Sequence, residues 1–234
     1  MALTRADLEN DVLRKSFVRL HRDLPALSDP EFNASLGAVL AALGPSAECW
    51  VFAYGSLIWN PLFRYVERRP AIVHGFHRCF CLRSRMGRGT PERPGLVLGL
   101  DRGGRCHGIA FRIARAEVEH ELTLLWRREM VLGSYSPRWV KVRASEKPLR
   151  ALAFVVNRRH PHYAGKLPAE TIVATLAAAR GKFGSGADYL LQTVDCLARN
   201  GIRDARLEAL RELFLAAAAG RTGPSRRGCP ETGA

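Results

Sequence analysis

Glu129 is the side chain of this sequence whose position asks most of its chemistry. The stretch Ala116–Met130 repeats apolar residues at helical spacing. At ~100° per residue, Val118, Leu122, Leu125 and Glu129 fall within about 60° of one another on such a helix. Three of these residues must face a core, and Glu129 shares their stripe. A carboxylate is seldom buried unless it is paired or used. Desolvation disfavours its charged form, so burial raises its pKa toward the range where a general base works. Two other readings fit the same position. The side chain can reach solvent at the helix end, or it can pair with Arg78, Arg83 or Arg128.

The second chemically capable feature is backbone. In Cys49–Trp59, CWVFAYGSLIW, the apolar run Trp50–Tyr54 stops at Gly55-Ser56. A short apolar run ended by a turn signal reads as a buried strand. Gly55 is free to take φ > 0, and N–H groups left unpaired at the strand's mouth can form a nest that holds a carboxylate. A plain β-turn is the competing reading. The turn-rich loop Gly87–Gly95 presents Arg88, whose planar fork suits an anion; a solvated loop arginine is the alternative. His160-Pro161-His162-Tyr163 follows a strand end. Its histidines are poorly spaced for a metal, and Tyr163 can either donate into a nearby site or pack.

Composition narrows the class. The chain has 234 residues, of which 47% are hydrophobic, as in ordinary globular proteins. No apolar stretch approaches the ~18 residues that span a bilayer, so no membrane partner is expected. The N-terminus MALTRADLENDVLRKS is charged throughout and has no apolar segment of signal type, so a cytoplasmic protein is expected. Six cysteines, Cys49, Cys79, Cys81, Cys106, Cys196 and Cys229, are scattered. Cys79 and Cys81 lack the C-x2-C spacing of a metal clip but point the same way on a strand. Reduced thiols and no metal site are expected. The net charge is +14. The arginines behind it are spread along the chain, with short clusters at Arg83–Arg93, Arg127-Arg128 and Arg158-Arg159. A nucleic-acid binder concentrates them on one patch, so no nucleic-acid partner is expected and a preference for small anions is. A basic nucleic-acid-binding module stays as an alternative, with steeply salt-dependent binding as its mark.

These groups need elements to hold them. Thr4 to about Arg22 reads as a helix opened by a Thr4–Asp7 capping box and interrupted at Pro25. Ser28-Asp29-Pro30 restarts a second helix that ends at Gly44-Pro45. Residues 1–46 therefore read as a helical arm on a domain spanning 47–220. Six short strands follow: Trp50–Tyr54, Ala71–Leu82, Leu96–Leu100, Cys106–Ile113, Trp139–Arg143 and Ala151–Val156. Asp101–Gly104 reads as one of the turns between them. The C-terminal third is helical: Pro168–Arg180, Ala187–Asn200 and Asp204–Ala219. Residues 221–234 are Gly-, Pro- and Arg-rich, which predicts disorder. The fold class is α+β, a small, largely antiparallel sheet that curls or closes, flanked by helices.

Four blocks resemble the ChaC-like, glutathione-specific γ-glutamylcyclotransferases, nearest to bacterial members. They are VFAYGSLIWNP at Val51–Pro61, FCLRSRMGRGTPERPGLVLGLDRGG at Phe80–Gly104, LTLLWRREMVLGSYSPRWV at Leu122–Val140, and HPHYAGKL followed by GSGADYL at Gly184–Leu190. The resemblance runs from about Trp50 to Leu215. It implies a small closed β-barrel and conversion of glutathione to 5-oxoproline and cysteinylglycine without a cofactor. The family's catalytic glutamate falls on Glu129. Its substrate loop falls on Val51, Phe52, Ala53, Tyr54, Gly55 and Ser56, with the N–H groups around Tyr54–Leu57 as donors. Tyr163 matches the tyrosine of the HPxY piece. The chain departs from the pattern at Ala53, where glycine is usual, at Gly186, where asparagine is usual, and at Gly87, where many relatives have histidine. Other γ-glutamyl amino acids or amines are the alternative substrates.

Overall fold

The computed structural model describes residues 3–20, 26–44, 47–144 and 147–221. The expected helix break at Pro25, Pro45 of the expected helix stop, and the tail from residue 222 lie outside them.

Local signals set the first helices. Helix α1 (Arg5–Glu9) opens on the Thr4–Asp7 capping box, each side chain bonding the other's backbone N–H. The single helix expected to run to Arg22 is divided: α2 (Val12–Leu20) is a separate element. The division falls at Asn10-Asp11. The Asn10 N–H and Nδ2 both donate to the Ala6 carbonyl, ending α1, and Asp11 sits at φ 52°, in the left-handed region. Helix α3 (Asp29–Leu43) opens on a Ser28–Glu31 capping box with proline in its first turn, and ends at Gly44.

Five strands close into a barrel. They are β1 (Cys49–Ala53), β2 (Glu67–Ser84), β3 (Gly95–Ile113), β4 (Tyr135–Ala144) and β5 (Pro148–Val156), in the order β1-β3-β2-β4-β5. The ladders β1–β3, β3–β2, β2–β4 and β4–β5 are antiparallel, and β1 closes on β5 in parallel through Trp50↔Ala151 and Val51↔Leu152. The expected α+β barrel is therefore present, but with five barrel strands in place of six. Leu96–Leu100 and Cys106–Ile113 are two halves of β3. Gly103 and Gly104 take φ of 102° and 71° opposite a register shift between His74 and Phe76. The signal at Asp101–Gly104 is a β-bulge that twists one long strand, not a turn between two.

Trp50 and Phe52 of β1, and Tyr54 just after it, face the barrel interior with Val73, Leu100, Val142, Ala153 and Val155. Val51 and Ala53 face outward, under the helices. Both faces of β1 are buried, which is why its sequence is a continuous apolar run and not an alternation. A second core covers the outside. It takes Phe32 and Leu36 from α3, Leu122 and Trp126 from α5 (Val118–Glu129), Leu176 from α6 (Ala169–Ala178), Leu190 and Val194 from α7 (Gly186–Arg199) and Leu207 from α8 (Ala205–Arg221). The four-residue α4 (Ser56–Trp59) follows β1, and β6 (Arg180–Gly181) pairs with β7 (Gly184–Ser185) ahead of α7. No helix among the described residues is long and apolar enough to cross a membrane.

Candidate active site

Glu129 is the last residue of α5, at the point where the helix stops with the Met130 N–H bonded to the Trp126 carbonyl. Its side chain is 13% exposed and lies on the wall of a cavity of about 460 Å³. That volume is in the usual range of small-molecule sites. Burial pushes the Glu129 pKa above its ordinary value, and the Arg128 guanidinium opposes the rise without cancelling it. Of the three readings open from sequence, solvent exposure is excluded. Burial on the stripe and pairing with Arg128 both hold, with 3.0 Å between Arg128 Nε and the carboxylate.

Arg128 ties the acid to the turn. Its Nη2 donates to Ser56 Oγ at 2.9 Å, and Nη1 donates to the Asn60 carbonyl. One guanidinium thus spans Glu129 and both ends of α4. Within α4 the Ile58 N–H goes to the Gly55 carbonyl and the Asn60 N–H to Ser56. The N–H groups of Ser56 and Leu57 take no backbone acceptor among the described residues. They begin a helical turn, not a β-turn. Gly55 does not use its left-handed freedom: its φ is −142°. Space favours glycine instead, since a Cβ there would stand 3.2 Å from the Tyr189 hydroxyl, a tight contact.

Three buried tyrosines surround the acid. Tyr54 donates to the Phe154 carbonyl at 2.7 Å and Tyr135 to the Leu98 carbonyl at 3.2 Å. Burial first, and then the charges and phenols of the site, Glu129 among them, push Tyr54 and Tyr135 well above their ordinary pKa. Burial pushes Tyr189 up to about 12. All three phenols therefore stay neutral donors at any working pH. Arg88 stacks over the rings of Tyr189 and Trp59, at 5.1 and 5.9 Å from their centroids. Its Nη1 reaches the Ser185 carbonyl at 3.3 Å, and the loop carrying it is pinned by Lys182 and Phe183 N–H groups bonded to the Met86 and Gly87 carbonyls. Burial lowers the Arg88 pKa, the mark of a cation short of solvent.

The structure brings Glu129, Ser56 and Arg88 to one cavity. It does not bring all the expected residues there. Val51, Phe52 and Ala53 are fully buried core residues, so their part is to anchor the turn. Leu57 is packed in the outer core. Tyr54 is not among the residues lining the cavity and meets Glu129 electrostatically. Tyr163 is elsewhere: its hydroxyl donates to Asp101 at 2.7 Å, on a second cavity that shares no lining residue with the first. The aromatic residues Trp59, Tyr135 and Tyr189 escaped the sequence reading, although each lies inside a quoted block. Nothing local marks them, because three distant elements converge on them. Among the described residues, no group of three His, Cys, Asp or Glu is placed to hold a metal ion.

Comparison with known proteins agrees with this geometry. The chain is 38% identical over 209 residues to the glutathione-specific gamma-glutamylcyclotransferase of Escherichia coli (strain K12), covering 89% of this chain and 90% of that protein. It is 36% identical to glutathione-specific gamma-glutamylcyclotransferase 1 of Mus musculus, over 71% of this chain and 78% of the relative. A crystal structure of the glutathione-specific enzyme from yeast shares the fold, with a TM-score of 0.68 at 23% identity, covering 72% of this chain and 96% of that one. The sequence model of the ChaC-like proteins matches residues 49–216, from the first barrel strand into the last helix, and the chain belongs to that family.

Proposed function

We propose that this chain cleaves glutathione to 5-oxoproline and L-cysteinylglycine, with Glu129 as general base and then general acid. The observation that carries the reading is the Glu129 carboxylate on the wall of the cavity, linked through Arg128 to Ser56 at the strand's mouth. The relatives named above act on the same substrate.

The substrate supplies its own nucleophile. Its α-amine is tethered to the γ-glutamyl carbonyl, so ring closure has a high effective molarity and needs no cysteine or serine from the protein. Glu129 takes the proton from the ammonium group. The amine nitrogen then bonds to the carbonyl carbon, and the oxyanion that develops is met by the N–H groups of Ser56 and Leu57. As the bond to the cysteinyl nitrogen breaks, Glu129 returns the proton to that leaving nitrogen. The stacked Arg88 draws the far carboxylate of the tripeptide. Arg128 holds the acid in register with the turn. Residues 47–220 form the catalytic unit, and the arm before them closes one wall of the cavity through Leu3, Leu13 and Phe17.

Incubation with glutathione followed by chromatography for 5-oxoproline tests the activity. The Glu129→Gln enzyme folds normally and loses about 10²–10⁴ in turnover, the cost typical of a missing general base. Wild-type turnover in that variant would remove Glu129 from the reaction. Equal turnover of γ-glutamyl amines or other γ-glutamyl amino acids would remove the glutathione specificity.

A further inference from the structure

Cys79 and Cys81 lie two residues apart on β2 and pack against one another. Their surroundings differ. Cys81 is fully buried, with Sγ against Gly99. Cys79 is half-buried and opens on the second cavity, of about 1390 Å³. That cavity is basic, lined by Arg78, Arg105, Arg158, Lys166, Arg203 and Arg206. Its two carboxylates are already engaged. Asp204 lies 2.7 Å from Arg78 Nε, and Asp101 accepts from Arg158 and from Tyr163. Arg105, Lys166 and Arg206 have no ion pair among the described residues. An open, cationic cavity with a thiol in its wall suits a small anionic reagent that reacts with sulfur.

We propose that Cys79 is a modification site that forms a mixed disulfide with an anionic, low-molecular-mass disulfide of the glutathione disulfide type. The Cys79 thiolate attacks one sulfur of the reagent. A new sulfur–sulfur bond forms at Cys79, the reagent's own breaks, and the electron pair leaves on the departing half, which takes a proton from water. Cys79 is oxidised and the departing half is reduced, so no further oxidant is needed. Pairing with the neighbouring Cys81, followed by the charges of Arg206 and Arg158, favours the Cys79 thiolate over the opposing effects of burial and Asp101. Cys81 is pushed the other way by the same pairing and by burial, which leaves it a poor nucleophile, so the mixed disulfide persists. Cys49, Cys106 and Cys196 are buried thiols pushed upward by desolvation. The two cavities share no lining residue, so this site stands apart from the proposed catalytic chemistry.

The test is site-resolved mass spectrometry of the full chain during exposure to glutathione disulfide. The expected adduct forms on Cys79 severalfold faster than on Cys49, Cys106 or Cys196, whose thiols are buried away from the cavity. It is lost in Cys79→Ser, which keeps 5-oxoproline release, and it slows in Arg206→Ala and with added salt. Cystamine, a cationic disulfide, shows the opposite salt trend. An adduct on other cysteines with Cys79 left free, a Cys79–Cys81 disulfide in place of the adduct, or a rate indifferent to salt and to Arg206 would each overturn the assignment.

Discussion

Glu121 and Glu129 stand about two turns apart on α5, and both are withdrawn from water. Glu121 is the more buried of the two. It accepts from Arg5 Nη1 and Nη2 at 2.7 and 2.8 Å and from the Arg64 N–H at 2.9 Å. Burial, its largest influence, raises its pKa, but those donors outweigh it and the net direction is downward. Glu129 has Arg128 as its single cationic partner, and burial prevails. Depth therefore does not by itself set the direction in which a buried carboxylate shifts; the donors it meets do. The difference makes a kinetic prediction. A base must be ionised, so activity falls as pH drops through the Glu129 pKa. Arg128→Met removes the one influence that holds this pKa down. The acidic limb of the kcat/KM profile should move to higher pH in that variant, beyond any loss of rate from a misplaced turn. An unmoved limb would assign the ionisation to another group.

The Arg5–Glu121 pair joins α1 to α5, and its value belongs to the contact between those helices. Arg5→Ala strands a carboxylate that is 0% exposed, a change that typically costs about 2–3 kcal/mol when a buried ion loses its partner. The folded Glu121 pKa is depressed, so this stabilisation is present above the ordinary carboxylate pKa and lost as pH falls through the folded one. Thermal melts should show Arg5→Ala clearly less stable than wild type at neutral pH and the gap closing in acid. A pH-independent gap would mean that Arg5 acts by packing alone. Arg5 precedes Glu121 by 116 residues, and no local pattern announces such a pair. What the sequence did disclose was local: the Thr4–Asp7 capping box, the helix restart at Ser28-Asp29-Pro30, the stripe that singled out Glu129, and the apolar run of β1. It misled where one residue type serves two geometries. Glycine marks turns and bulges alike, so Gly103-Gly104 divided β3 on paper although the strand runs through them. Gly55 reads in sequence as free to take a left-handed φ, whereas in the fold it is the Tyr189 hydroxyl, 3.2 Å from where a Cβ would stand, that makes a small residue fit. Tyr135 and Tyr189 became part of the site only when β4, α5 and α7 met; Tyr54 and Arg128 were already legible, the one in the strand's turn and the other as a partner of Glu129.

The ChaC-like match begins at residue 49, which invites the view that everything before it is dispensable. The packing argues otherwise. Leu8, Leu13 and Phe17 form one core with Leu124 and Val131, and Phe32, Leu36 and Val39 join the core over the barrel. Polar contacts repeat the attachment: Trp126 Nε1 donates to Ser35 Oγ at 2.8 Å, and Arg150 Nη1 donates to the Ala42 carbonyl at 2.8 Å. Each large apolar side chain buried is worth about 1.5–3 kcal/mol, so six together weigh about as much as the net stability of a domain, ~5–15 kcal/mol. Removing the arm also removes the entropy cost of ordering it. The loss that counts is therefore the apolar surface left bare on the remainder, where Leu124 and Trp126 of the helix that ends in Glu129, and Val131 just after it, would meet water. Such a patch favours association over function. A chain begun at residue 47 should accordingly bind a hydrophobic dye, melt well below the full chain or aggregate, and release little 5-oxoproline. Should it instead stay monomeric, with the melting temperature and KM of the full chain, the arm is an accessory and the cavity wall formed by Leu13 and Phe17 is not needed to hold the substrate.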